Sequence, residues 1–519
     1  MAELVREQLL LDQGLGGDEV QIMLEGDVIV PDTKPDMAQL LQTDETIVID
    51  RVEAGSDRLG YVGRLKIALL YVAKDASKSV QAVELTRNID DFVNMDGATP
   101  AMWASARATI SNIDYRFVND RKVNYRAVIS IKVAAQSSNN YDAAVHMHDV
   151  PENQLLKTSV DFNRTVERKL DRIHVKEQIV LPSNKQSINE LLQTTANITN
   201  RDIRVTHGRV AISGEIMLTS LYRGIADDSL LEFIESEVPF SGHIDINDAT
   251  DGMLADTFLQ ILDQELTVRA DDDGEERVIE VDINIGVELR VFSNETITLL
   301  EDGYSTAGQL EFARIQVSYP QLVCINRNQA PMRDVVSLPE TAPGMLQVFR
   351  IKGQPHIDDI QVADDKITIE GAINTSLLYV AESDTTPIAS HSTVVPFKQT
   401  VEAKGVTAGM SINIDTAIDH AVISMLSPRE AEVRFQLTFN TQVAHHMPGS
   451  IITGVEMLDH DPATLAAQSS MTVYIVQPGD SLWHIAKHFN TPIDELLEVN
   501  ELENTRIIPG QKLLVMGRR

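Results

Sequence analysis

Cysteine is nearly absent from this chain: Cys324 stands alone among 519 residues. A single thiol excludes an internal disulfide framework and any cysteine-based zinc motif, and it suits a reducing compartment. Its setting, Leu322-Val323-Cys324-Ile325, is that of a buried and unreactive thiol. Basic charge is scarce as well. Lys and Arg number 44 against 77 Asp and Glu, a net of −33. That balance argues against a nucleic-acid binder, because such binding rests on Lys and Arg neutralising phosphates. It argues equally against anionic membrane surfaces. No run approaches the ~20 apolar residues that span a bilayer, so no membrane insertion is expected. Met1-Ala2-Glu3-Leu4-Val5-Arg6-Glu7 has no positive region, and acids interrupt its apolar stretch. No secretion signal is therefore expected, and the protein is expected to work inside the cell that makes it.

Catalytic motifs are missing too. There is no phosphate loop, no Gly-x-Ser-x-Gly and no zinc-type spacing. His146-Met147-His148-Asp149 puts two imidazoles on one strand face, without a third ligand nearby. His445-His446 and His460-Asp461 read as solvated. Asp271-Asp272-Asp273-Gly274-Glu275 lacks the alternating ligands and distal Glu of a calcium loop and reads as a turn. The expectation is a protein that is not an enzyme and that needs no cofactor and no metal.

What is present is repetition, which is sought first in a chain too long for one core. Val30-Pro31, Leu181-Pro182 and Leu338-Pro339 open three similar segments. Gly63, Gly214 and Gly371 each follow 32 residues after the proline, and Tyr71, Tyr222 and Tyr379 follow 40 after it. Apolar residues after each proline fall at i, i+3, i+4: Met37, Leu40 and Leu41; Ile188, Leu191 and Leu192; Met345, Val348 and Phe349. That spacing predicts a short helix. Around each glycine the pattern alternates, as in Gly63, Leu65, Ile67, Leu69 and Tyr71, which predicts a strand with one buried face. The inward glycine predicts a bulge or close backbone approach, and the tyrosine a core ring with a satisfied hydroxyl. Polar turns recur later in each unit, between Val118 and Val123, Val268 and Val278, and Leu426 and Val433, as expected of hairpins. The reading is three β-rich (α+β) repeats over 1–150, 151–308 and 309–446. Residues 447–471, rich in Gly, Ala, Ser, Pro and acids, read as a linker.

Residues 472–519 form a different kind of unit. Thr472 to Val476 predicts a strand, broken by Pro478-Gly479. Asp480 or Ser481 can cap a helix striped by Leu482, Ile485, Ala486 and Phe489. Thr491-Pro492-Ile493-Asp494 predicts the start of a second helix, and Pro509-Gly510 turns into a last strand. This βααβ segment, with Tyr474-Ile475-Val476-Gln477-Pro478-Gly479-Asp480-Ser481-Leu482-Trp483 at its head and Ile507-Ile508-Pro509-Gly510-Gln511-Lys512-Leu513 at its end, resembles a LysM domain. The resemblance implies a groove between two loops, built from Gly479, Asp480, Ser481, Leu482, Trp483, Asn504, Ile507 and Ile508. Core packing is the competing role for Leu482, Trp483 and Ile508. Residues 471–519 carry five Lys or Arg against six Asp or Glu. No basic groove for an anionic polymer is evident, though neutral sugar contacts need none.

The Leu-Pro, glycine and Leu-Leu-Tyr pattern of the body resembles SPOCS domains of bacterial sporulation proteins. Three of them before a LysM resemble spore morphogenetic proteins. The resemblance implies a scaffold made in the mother cell and recruited to the forespore surface and spore coat. It would tether the coat basement layer through a LysM that docks the coat basement ATPase, stage IV sporulation protein A. A peptidoglycan-binding wall or cortex anchor is the first alternative, and a phage-like assembly hub the second.

Overall fold

The computed structural model describes residues 3–75, 78–225, 231–383, 387–459 and 471–516. The first repeat is β1 (Glu3–Ile29), β2 (Met37–Ala54), β3 (Arg58–Ala73), β4 (Val80–Asn94), β5 (Trp103–Asn119) and β6 (Lys122–His148). The second is β7 (Asn153–Val180), β8 (Ile188–Thr206), β9 (Arg209–Gly224), β10 (Leu231–Asp245), β11 (Leu254–Ala270) and β12 (Glu276–Ser305). The third is β13 (Gln309–Ser337), β14 (Met345–Ala363), β15 (Lys366–Ala381), β16 (Ile388–Glu402), β17 (Ser411–Ser427) and β18 (Glu430–Leu458). Every repeat builds the same two antiparallel three-stranded sheets, ordered β1-β6-β5 and β2-β3-β4 in the first. The sheets enclose a core of alternating residues such as Leu65, Ile67, Leu69, Ile129 and Ile131. The second and third repeats enclose equivalent cores.

The helix expected after each proline is a strand. Between Met37 and Gln39, and again between Leu40 and Gln42, the register of β2 against β3 slips by one residue. Each slip is a β-bulge that leaves one residue unpaired. Met37 and Leu40 therefore face Ala73 and Tyr71, which share one side of β3. The slips recur at Ile188/Glu190 and Leu191/Gln193, and at Met345/Gln347 and Val348/Arg350. Two bulges three residues apart reproduce the i, i+3, i+4 spacing of a helix face. The α part of the α+β expectation is thus corrected: among the described residues the repeats contain strands only.

The repeated glycines behave as expected. A Cβ on Gly63 would lie 2.5 Å from the Val48 carbonyl oxygen, and the side chains and carbonyls beside Gly214 and Gly371 crowd them in the same way. The tyrosine rings are buried. Their hydroxyls donate to the Pro35 carbonyl at 3.0 Å, the Gln186 carbonyl at 3.2 Å and the Pro343 carbonyl at 3.1 Å. An unforeseen clamp closes the same corner. Arg121, Arg277 and Arg429 in the late hairpin turns donate to the carbonyls of Pro31, Pro182 and Pro339 at 2.8, 2.8 and 3.0 Å.

The three repeats close around a common axis. Leu41, Leu192 and Phe349, with Leu70, Leu221 and Leu378, pack into one shared cluster. Gln42, Gln193 and Arg350 occupy equivalent buried positions beside it, and Arg350 donates to Gln193 Oε1 at 3.2 Å. The first and last strands of each repeat overrun its sandwich as a long ribbon. The three ribbons pack on one another through Leu9, Leu11, Phe162, Leu299, Val317, Tyr319 and Ile451, making a stalk. Asp12 of the first ribbon accepts from Arg168 of the second at 2.9 Å. At the stalk tip the chain passes between repeats, at residues 149–152 and 306–308.

The stalk also corrects the linker. Residues 447–458 are the last part of β18 and pair with β13 from Gln309 to Tyr319. Their glycines made the segment look loose, but Gly449 lies under the Tyr319 ring, where a side chain would collide. His445 and His446 lie in the same strand, paired with Gln321 and Pro320. Residues 460–470, including His460 and Asp461, lie outside the described residues.

Candidate functional site

The C-terminal unit contains β19 (Met471–Ile475), α1 (Leu482–His488), α2 (Ile493–Val499) and β20 (Lys512–Met516), with β19 antiparallel to β20. Ser481 caps α1, its Oγ accepting from the His484 N–H at 3.2 Å. Pro492, not Thr491, holds the cap position of α2. Thr491 is buried, and its hydroxyl donates to the Met516 carbonyl at 3.1 Å. The start of the last strand is tied to the first loop. The Val476 N–H reaches the Gln511 carbonyl at 2.9 Å, and the Gly510 N–H reaches the Val476 carbonyl at 2.9 Å.

These ties set the two loops that the resemblance assigns to a groove side by side. Asp480 organises the first, its Oδ2 accepting from the Gln477 N–H and the Tyr474 hydroxyl, both at 2.8 Å. The Gln477 N–H and the Tyr474 hydroxyl hold its carboxyl below the ordinary carboxylate range. Gly479, with φ +94°, makes the turn that lets the chain fold back. In the second loop Asn504 Oδ1 accepts from the Arg506 N–H at 2.9 Å, and Ile508 stands 69% exposed. Gly479 and Asn504 are exposed, while Asp480, Ser481 and Ile507 are half-buried.

Leu482 and Trp483 do not belong to that groove. Both are buried, Trp483 to 8% exposure. Trp483 meets Tyr304 of β12 edge-on, with ring centroids 5.1 Å apart. Its indole N–H donates to Asp302 Oδ2 at 3.2 Å, and Lys487 reaches both Asp302 oxygens at 2.7 Å. The Tyr304 hydroxyl donates to the Thr491 carbonyl at 2.8 Å. Burial pushes the Asp302 carboxyl up, but the Lys487 ammonium and the Trp483 N–H outweigh it and hold the group below the ordinary carboxylate range. Core packing and docking on the stalk tip are therefore the roles of Leu482 and Trp483. The sequence left the tryptophan open between groove and core because the surface that covers it lies nearly two hundred residues upstream.

A second surface was missed. Directly paired residues of an antiparallel pair share a face. Met471 with Met516, Val473 with Leu514, and Ile475 with Lys512 thus make one face of the small sheet. Met471, Val473 and Ile475 are 54%, 60% and 49% exposed. Five of these six residues are apolar. The alternation of Val473 and Ile475 with inward Tyr474 and Val476 was the available signal.

Other sequence candidates remain apart. His146 and His148 rings meet edge-on at 4.7 Å, and no group of three or more metal-ligating side chains occurs among the described residues. Asp271 Oδ1 accepts from the N–H groups of Asp273 and Glu275 at 3.0 Å each, which closes a turn. Cys324 is half-buried, and burial pushes its thiol up. No helix among the described residues is long and apolar enough to cross a membrane.

Comparison with known proteins fits this architecture. The family described as SipL, SPOCS domain matches residues 36–118, 187–269 and 344–426. The LysM domain matches residues 474–515. The chain is therefore a SipL-like protein, with three SPOCS domains followed by one LysM domain. Uncharacterized protein YkzQ of Bacillus subtilis is 46% identical over 46 residues, 9% of this chain and 61% of that protein. The N-acetylmuramoyl-L-alanine amidase sle1 of Staphylococcus epidermidis is 46% identical over 50 residues, 10% of this chain and 15% of that protein. The chain spans less than two thirds of either relative. No solved structure matches it.

Proposed function

We propose that this chain is a non-enzymatic scaffold of spore-coat assembly, made in the mother cell, that tethers the coat basement layer to the forespore surface. Its LysM module docks a protein, the coat basement ATPase known as stage IV sporulation protein A. The observation carrying this reading is the apolar sheet face of Met471, Val473, Ile475, Leu514 and Met516. Polar sugars gain little from such a face, whereas a protein partner gains about 25 cal/mol for each Å² of apolar surface it covers. The three fused SPOCS domains give the scaffold a rigid frame, so that modest contacts at separate points add up to strong attachment. The family match supports a sporulation-related protein with a wall-binding type of module.

The exposed groove loops favour a second reading, a peptidoglycan anchor of wall or cortex. The deciding experiment offers the full chain purified peptidoglycan and, separately, purified stage IV sporulation protein A. The scaffold reading expects capture of the protein, lost in Val473→Glu and retained in Asn504→Ala. Retention on peptidoglycan alone, sensitive to Asn504→Ala and indifferent to Val473→Glu, would establish the anchor instead.

A further inference from the structure

The pseudo-threefold repeat allows each surface to be compared with its two equivalents in the same molecule. One face differs. On the outer side of β13-β18-β17, Arg333 lies directly opposite Arg434, which lies opposite Val422. The matching row of the first repeat is Glu25, Arg126 and Asp114. That of the second is Lys176, Asp282 and Glu265. Those rows carry opposite-charge pairs, Arg126 with Glu25 at 3.1 Å and Lys176 with Asp282 at 3.0 Å. Like charges directly opposite one another destabilise a sheet; the second repeat sets Lys176 beside its own Asp282–Glu265 pair, whereas the row of the third repeat holds no acid.

Glu432, in the next row, offsets part of that cost. It is buried, and its two carboxylate oxygens accept from Arg333 Nε and Arg434 Nε at 2.6 Å each. Both arginines also turn Nη2 toward it. One buried carboxylate thus serves two guanidinium groups, and among the described residues neither Nη1 group has a protein partner. The arginine side chains remain 68% and 59% exposed. Beside them stand Val335 and Val422, 46% and 54% exposed, where the first repeat has Asp27 and Asp114 and the second Gln178 and Glu265. Leu426 is exposed at the turn end of β17. Glu430 is the acidic group at the rim of this face, one row beyond Glu432.

We propose that this face of the third repeat is a docking surface for an acidic, amphipathic peptide segment of another protein. Two free guanidinium edges match a pair of carboxylates, in the fork geometry for which arginine is suited. The exposed valines and Leu426 match apolar residues alternating with those carboxylates. Arginine and aliphatic side chains on a flat face, with the charges of the sister repeats removed, are the composition of an interface rather than of a solvated sheet. The rest of this strongly acidic chain repels such a segment, which confines it to one place.

The test uses the full chain and a fluorescein-labelled ten-residue peptide of alternating Glu and Leu, followed by fluorescence anisotropy. Saturable binding is expected, weakening several-fold between low and half-molar salt. Val335→Asp with Val422→Asp restores charges that the first repeat tolerates at these positions, and should weaken binding at least tenfold. Val422→Ser, a milder change that keeps the test open if the double variant misfolds, should weaken it about threefold. Asp114→Val on the sister face should change nothing. Equal binding by the double variant, equal binding of a Lys-Leu peptide, or no binding would overturn the proposal. So would self-association of the chain, seen by sedimentation and abolished by the double variant, since it would make a second copy the occupant.

Discussion

Each repeat holds a complete sandwich core of its own, running in the first from Leu59 through Tyr71 to Ala135. The core of the LysM module is instead completed by Leu156 and Tyr304, which belong to the second repeat. The contrast follows from size. A module of about fifty residues buries a smaller fraction of its surface and gains from a neighbour, whereas a six-stranded sandwich of about 150 residues does not need one. The repeats are therefore bound to each other by shared layers added to finished cores, and the LysM by residues it lacks. Breaking the two kinds of junction should have different consequences.

The largest effect is expected inside a repeat. Gly63→Val drives a side chain into the Val48 carbonyl and the Ile49 side chain, and should cost about 3 kcal/mol or more, read as a lower denaturant midpoint. An unchanged midpoint would mean that the bulge beside Gly63 can relax. Next comes the shared axial layer. Leu378→Ala should cost about 2–3 kcal/mol, and the loss should appear in one cooperative transition of all three repeats. Two separated transitions would show that the repeats melt independently. Tyr304→Ala should instead leave the main transition of the body nearly in place and loosen the LysM by about 2 kcal/mol. Trp483 fluorescence in a Trp103→Phe background, which leaves Trp483 as the sole tryptophan of the two, would report it. The smallest effect belongs to Asp302→Asn, about 1 kcal/mol, read by the same fluorescence. Because Asp302 titrates below its ordinary value, its contribution is fully present above the ordinary carboxylate range and fades only as pH falls through the lowered value. A docked module that loosened on raising the pH from about 6 to about 8 would contradict this assignment.

Much of this was legible in the chain. The equal spacing of Pro31, Gly63 and Tyr71 with their counterparts identified the repeat, and the alternation around each glycine identified its central strand. The hairpin turns were visible as polar breaks, and the LysM domain as a matched motif. Other features were legible only in the wrong sense. Met37, Leu40 and Leu41 carry helical spacing because paired bulges imitate it, and a bulge depends on the partner strand. Residues 447–458 looked like a linker because Gly449 is needed under Tyr319, a contact that crosses more than a hundred residues. Trp483 looked like a groove residue because nothing near it in the chain announces Tyr304 and Asp302.

Local order was thus decided by the sequence itself: where strands alternate, where turns fall, that one unit occurs three times, and that a LysM ends the described chain. These depend on neighbours within a few residues, where spacing alone dictates which side chains share a face. The tertiary structure alone decided the closure of the repeats around Leu41, Leu192 and Phe349, the stalk, the seat of the LysM on Asp302, and the paired arginines of the third repeat. Each of these joins residues distant in the chain, and burial and charge pairing between distant residues leave no periodicity to read.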